Sequence, residues 1–234
     1  MPDLLIELLS EEIPARIQGF AAQELRKNML SFLAEQGLSE IAATAFSTPR
    51  RLTLFITGLP EKSDDFIEER KGPRVNAPQK ALDGFLRSVD LKLDQLTVKR
   101  DGNVDKYFAS IKTPGRISTQ IIAEALEKTI RTFPWPKSMR WGVSSLRWVR
   151  PLKGILCIFI KDADYQVIDL QIDGIRSDSC TTGHRFMAPE FFTVKDFDDY
   201  KLKLRNAFVI LDNRERSEII LNDATNLAFA NGLD

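Results

Sequence analysis

The chain has 234 residues, 43% of them hydrophobic, and its 33 lysines and arginines are balanced by 33 aspartates and glutamates. That length allows one large domain or two small ones with a substantial core; the neutral balance argues against a protein that coats a polyanion with its whole surface, but leaves room for a local basic patch. No apolar run reaches the roughly 18 residues of a membrane span, and the acidic opening MPDLLIELLSEEIP lacks the basic start of a signal peptide, so a cytoplasmic protein without membrane contact is expected. Cys157 and Cys180 have no metal-ligand spacing and are expected to be reduced and structural.

The first predicted element is a buried strand in DLLIELLS, where apolar residues dominate. Phe20, Leu25, Met29, Leu30 and Leu33 recur at helical spacing and predict a helix over Ile17–Gln36, stopped at Gly37. IAATAFSTPRRLTLFITGLP predicts two short strands broken at Thr48–Pro49. In the second, Arg51, Thr53 and Phe55 alternate with Leu52, Leu54 and Ile56; Pro49, with no N–H for a ladder, marks an edge or a bulge. The charged run from Glu61 to Pro78 reads as a polar linker. A short helix over Gln79–Ser88 follows, then two strands about a turn at Asp101–Gly102. Ser118 is placed as N-cap of a helix running to about Thr132, with Ile121, Ile122, Ala125, Leu126, Thr129 and Ile130 inward. Ile155–Ile160 is a fully buried strand, Lys161–Asp164 a turn and Val167–Ile172 the return strand. Lys195–Asn206 is an amphipathic helix, FVIL a strand, and a last helix capped by Asp212 or Asn213 runs to Ala230. Strands and helices interleave without a βαβ rhythm. The expected fold is therefore α+β, with mixed or antiparallel sheets and packed helices in two lobes: an α/β lobe over 1–60, a linker over 61–78 and an α+β lobe over 79–234.

The common motifs for nucleotide, metal and protease chemistry are absent. The single histidine, His184, lies in CTTGHRFMAP, four residues after Cys180. A thiol–imidazole nucleophile needs contact between the two and a third, orienting group. The competing readings are a loop in which Thr181, Thr182 and His184 bond local backbone, or one in which Gly183, His184 and Arg185 face a ligand. Glu11 and Glu12 in SEEIP offer paired carboxylates for acid–base or metal chemistry; with Ser10 they also form an N-cap and an acidic first turn, the preferred reading. The basic candidates are Arg50 and Arg51 in STPRRL, Lys71 and Arg74, and the segments FPWPKSMRWG and LRWVRP, which hold all 3 tryptophans. Lys137, Arg140, Arg147 and Arg150 suit phosphates, and Trp141 and Trp148 suit stacking on bases. Equally, the seven-residue spacing of Trp141 and Trp148 lets a helix turn both into one core, and an arginine beside a tryptophan often only stacks on it.

SEEIP, STPRRL, KGP, Gly84–Phe85, FPWPKSMRWG, WVRP and TTGHRFMAP follow one another in an order and spacing that resembles the N-terminal part of the β subunit of bacterial glycyl-tRNA synthetases of the α2β2 type, from Leu4 to at least Glu215. Two positions depart from the family's pattern: Leu9 stands at a usual glycine, and Lys153–Gly154 where a bulky residue is usual. The resemblance implies a piece truncated from a longer subunit whose later parts include an HD-like domain and a C-terminal anticodon-binding domain. It implies that glycine is activated with ATP and Mg on the α subunit, and that this region has no aminoacylation site or cofactor of its own. It further implies a role in charging tRNA(Gly), through tRNA binding and assembly with the α subunit and the remaining β-subunit domains. The expected tRNA or partner contacts are Lys137, Arg140, Arg147, Arg150, His184, Arg185, Arg50 and Arg51, with no catalytic residue and no metal ligand. The alternative is a purely structural scaffold without RNA contact, its arginines paired with acids such as Asp169 or Asp173. A third reading is an editing-like pocket at His184 and Arg185.

Overall fold

The computed structural model describes every residue except Glu40, Asn103, Ala163 and Asp234 and the side chains of Phe66, Ile67 and Thr113. In chain order its elements are β1 (Asp3–Ser10), α1 (Ala15–Glu35), β2 (Ala42–Thr48), β3 (Arg51–Thr57), β4 (Phe66–Arg74), α2 (Gln79–Val89), β5 (Leu96–Asp101), β6 (Val104–Thr113) and α3 (Ser118–Arg131). There follow β7 (Leu152–Lys161), β8 (Asp164–Val167), β9 (Gln171–Ile172), β10 (Ile175–Asp178), β11 (Cys180–Thr182), β12 (Phe191–Thr193), α4 (Phe197–Asn206) and α5 (Asn213–Ala230). The fold is α+β, as expected. It divides into one unit made of Met1–Glu61 with Ile117–Asp234 and a second made of Lys62–Arg116.

The larger unit is organised by a seven-stranded sheet in the order β2-β3-β1-β7-β10-β9, with β8 paired to β7. Its pairs are antiparallel apart from β7 with β10. Period-two alternation assigns the side chains to two cores. Leu4, Ile6 and Leu8 of β1, Leu52, Leu54 and Ile56 of β3, and Ile155, Cys157 and Phe159 of β7 pack with Leu25 and Met29 of α1 and Ile121 and Leu126 of α3. Leu5, Leu156, Ile158 and Ile160 point the other way, onto Tyr200 and Leu204 of α4. β1 and β7 are therefore covered on both faces, which is why each reads as a near-continuous apolar run. Burial pushes the Cys157 thiol up to about 12, so it remains protonated and inert.

The smaller unit is an antiparallel sheet β4-β6-β5 packed with α2. It corrects the expectation of a polar linker over 61–78. β4 alternates charges that belong to a solvated sheet: Arg70 pairs with Glu68 at 2.8 Å, Lys99 with Glu69, and Lys71 with Asp101. The lobe boundaries move too, because β1 pairs with β7 and so gathers both ends of the chain into one unit, with 62–116 inserted between.

Other departures are local. Pairing of Thr48 with Arg51 makes Pro49–Arg50 the two-residue loop of the β2–β3 hairpin, so Pro49 marks neither an edge nor a bulge. Ser10 ends β1, and the cap position of α1 is Pro14, without a side-chain cap; Glu11 pairs instead with Lys153 at 3.1 Å and Glu12 with Arg185 at 3.0 Å. Ser118 is the first residue of α3 rather than its cap, and its hydroxyl donates to the Pro60 carbonyl. The return strand after β7 ends at Val167, and Gln171–Ile172 pairs with β10 instead. The turn expected over Lys161–Asp164 includes Ala163, outside the described residues; Lys161 and Asp164 pair at its base. FVIL is not a strand. The N–H of Val209 donates to Leu204 O at 2.8 Å and that of Phe208 to Arg205 O at 3.1 Å, a Schellman closure of α4 with Phe208 in the left-handed region at φ 61°.

Candidate nucleic-acid interface

The segment from Phe133 to Pro151 is not helical, so the seven-residue tryptophan spacing has no helical meaning. Trp148 is fully buried and packs with Phe133 and Trp135, ring centroids 5.0 and 4.8 Å away. Met139 and Trp148 exchange backbone hydrogen bonds of 2.8 and 3.2 Å, an isolated antiparallel bridge that closes the loop across its middle. A second clamp comes from the β9–β10 turn, where Asp173 and Gly174 both have positive φ, 47° and 85°, the geometry a tight hairpin turn requires. The Asp173 carboxylate accepts from Ser144 Oγ and the Leu146 N–H, each at 2.6 Å, from Ser145 Oγ at 3.3 Å and from Arg131 at 3.4 Å. The Ser144 and Leu146 bonds, with smaller help from Arg131 and Ser145, hold its carboxyl down at about 2.

On this braced loop Lys137, Arg140, Arg147 and Arg150 are all exposed. Among the described residues none of the four has a carboxylate partner: Arg147 donates to Ser138 Oγ at 3.3 Å, and Arg150 lies 3.9 Å from Met139 Sδ. Asp169 and Asp173, the acids that the scaffold reading sets against these arginines, take Arg176 at 3.0 Å and Arg131 at 3.4 Å instead. The Met139–Trp148 register sets residue 140 across from 147, and directly opposed residues of an antiparallel pair share a face. A fixed backbone that displays unpaired cations is the arrangement that positions phosphates.

The other four expected contacts gather at the β2–β3 turn and the GHRF loop, and they divide. Arg51 is buried and leaves the contact set. Its Nε donates to Glu7 at 3.0 Å and its Nη2 to the carbonyls of Thr182 and, at 3.2 Å, Gly183. Glu7, also buried, accepts further bonds from Thr181 Oγ1 and Tyr200 OH, and Tyr200 in turn meets Thr53 Oγ1 at 2.9 Å. Burial, then the Glu7 charge, raises the Tyr200 phenol well above its ordinary value, so it stays a donor. Arg185 pairs with Glu12 and lies 4.8 Å over the Phe186 ring. Among the described residues the Arg50 side chain has no partner: its Nε and the neighbouring Thr48 Oγ1 are buried without one. His184 Nδ1 accepts from the backbone N–H groups of Phe186 and Met187, both at 3.3 Å, which assigns the proton of the neutral ring to Nε2. Cys180 faces Thr193 Oγ1 at 3.6 Å from within β11, so thiol and imidazole do not form a nucleophilic pair. A Cβ on Gly183 would lie 2.3 Å from that of Ala207; only glycine lets the His184 N–H reach the Ala207 carbonyl at 2.8 Å.

Arg50, Gly183, His184 and Arg185 line one cleft of about 250 Å³ with Glu12 and Phe208. The expected contacts therefore form a four-cation loop, a cleft triad of Arg50, His184 and Arg185, and one buried arginine. The structure adds one group that the motif reading passes over, Glu7, and gives Asp173, which the scaffold reading names only as a partner of arginines, the role of clamping the loop. The signal for Glu7 is an acid inside an otherwise apolar strand; that for Asp173 is an Asp-Gly turn. No group of three or more potential metal ligands forms among the described residues, and no helix there is long and apolar enough to cross a membrane.

The comparisons with known proteins agree with the resemblance. The chain is 55% identical over 234 residues to the glycine–tRNA ligase beta subunit of Ruegeria sp. (strain TM1040), a match that covers 100% of this chain and 34% of that protein. It is 53% identical to the same subunit of Cereibacter sphaeroides (strain ATCC 17023), with the same coverage. The chain thus spans about a third of the length of the curated relatives it matches. The model for the glycyl-tRNA synthetase beta subunit matches residues 4–234, and the chain belongs to that family.

Proposed function

We propose that this chain serves a cytoplasmic, α2β2-type glycine–tRNA ligase as a tRNA-holding and assembly region of its β subunit. In this reading glycine is activated with ATP and Mg on the α subunit, and the chain contributes placement of tRNA(Gly) rather than a chemical step. The observation that carries it is the braced loop on which Lys137, Arg140, Arg147 and Arg150 stand exposed with no acid partner among the described residues. Phosphate contacts of this kind fix register and orientation without reading sequence, which suits a region that presents tRNA to a partner subunit. Assembly is supported by α5. None of its side chains is buried, and Ile220, Leu221 and Leu227 stand exposed on it as an apolar surface for the α subunit or the remaining β-subunit domains. The test is a gel shift of tRNA(Gly) with the Lys137→Ala/Arg140→Ala double variant: weaker binding with an unchanged melting curve supports the reading, and equal affinity removes the loop from it.

A further inference from the structure

The cleft at the β2–β3 turn points to a ligand of its own. Its polar wall presents donors. His184 offers Nε2–H, because Nδ1 is held by two backbone N–H groups. Arg50 offers a guanidinium with no side-chain partner among the described residues, near the Thr48 hydroxyl, which is likewise without one there, in a residue only 3% exposed. Arg51 behind them is already neutralised by Glu7, and Arg185 at the rim by Glu12. The cleft is lined as well by the apolar Phe208, Val209 and Ile210, and by Arg216, whose guanidinium is already engaged by the carbonyls of Ile210 and Ser47.

Phe208 is the telling residue. It occupies the position that closes α4 in left-handed conformation, φ 61°, where glycine is the usual choice. A bulky side chain there is strained, yet the ring gains little from burial, since it is 57% exposed. The fold holds a strained, half-exposed aromatic residue in the lining of the same cleft as Arg50 and His184, and the His184 N–H bonds the carbonyl of the neighbouring Ala207.

From this juxtaposition we infer that the cleft binds a nucleoside monophosphate unit, its phosphate on Arg50 and His184 Nε2–H and its base stacked on Phe208. Two sources offer that chemistry, a free mononucleotide and the phosphorylated end of an RNA strand. Neither depends on the loop at 137–150, whose Lys137→Ala/Arg140→Ala test touches no cleft residue.

The experiment is calorimetric titration of the 234-residue chain with AMP, adenosine and inorganic phosphate, with melting curves for each variant. AMP is expected to bind about tenfold tighter than either part alone. Phe208→Gly is expected to raise the melting temperature, by releasing the left-handed strain, while weakening AMP roughly fivefold or more and leaving inorganic phosphate unchanged. Arg50→Ala is expected to abolish the preference of AMP over adenosine. Competition by a short RNA bearing a 3′-phosphate, against the same RNA without it, assigns the source: displacement by the phosphorylated strand points to an RNA end, and displacement by mononucleotide alone to a free nucleotide. No AMP binding, or AMP affinity unchanged in both Phe208→Gly and Arg50→Ala, overturns the inference.

Discussion

Arg51 and Arg147 each come from a basic stretch beside an apolar one, and the fold uses them in opposite ways. β1 and β3 pair so that Leu9 meets Arg51 and Glu7 meets Thr53, which makes Glu7 a diagonal neighbour of Arg51 on the same face. That face is roofed by α4 and β11, so the pair is sealed in and must be fully bonded, as it is. Arg147 lies on a loop without acids of its own, and the acids outside it are engaged elsewhere: Asp173 faces backbone, serines and Arg131, and Asp169 faces Arg176. The first arginine holds the GHRF loop to the sheet; the second is left for something outside the chain. Whether a cation is structural or available is decided by the register of its neighbours and not by its local motif.

The comparison can be broken most sharply at Arg51. Arg51→Ala leaves Glu7 buried without its counter-charge and is expected to cost about 3–5 kcal/mol in urea unfolding, whereas Arg147→Ala is expected to stay within about 0.5 kcal/mol. Trp148→Ala, which empties the fully buried side of the basic loop, belongs with the large effects at roughly 3–5 kcal/mol. Next comes Asp173→Ala, at roughly 1–2 kcal/mol for the lost bonds to Ser144 and the Leu146 N–H. Its carboxyl is held down at about 2 from an ordinary 3.8, so its contribution is fully present above about pH 4 and is lost as the pH falls towards 2. Tryptophan fluorescence should report loosening of the loop in that window, and Asp173→Asn should remove that transition. Tyr200→Phe, which removes one of several donors to Glu7, is the smallest of the buried-site effects, at roughly 1 kcal/mol by thermal melting.

Much of this architecture is legible in the sequence. β1, α1, β3, α3 and β7 follow from apolar period, because each buries a regular stripe; that β2 and β3 meet in a hairpin does not, because Pro49 reads as an edge or a bulge rather than a turn. β4 is hidden because a strand of ion-paired charges looks like a linker until its partners are known. The Schellman turn is hidden because its left-handed position holds Phe208, where a sequence reader looks for glycine. At the interface, Lys137, Arg140, Arg147 and Arg150 can be picked out as residues, but their freedom cannot, since it depends on where Asp169 and Asp173 turn in the fold. Arg51 shows the converse: its alternation with Leu52 is correctly read as a strand, yet the polar side of that strand is sealed rather than solvated.

The salt dependence of tRNA(Gly) affinity tests the central claim most directly, measured for the chain and for Lys137→Ala/Arg140→Ala across a series of salt concentrations. If the two cations neutralise two phosphates, the slope of log affinity against log salt should become shallower by about 1.4–1.8 in the variant, with affinity at low salt reduced roughly tenfold and the melting curve unchanged. An identical slope and affinity in the two proteins would contradict the account and leave the loop as scaffold.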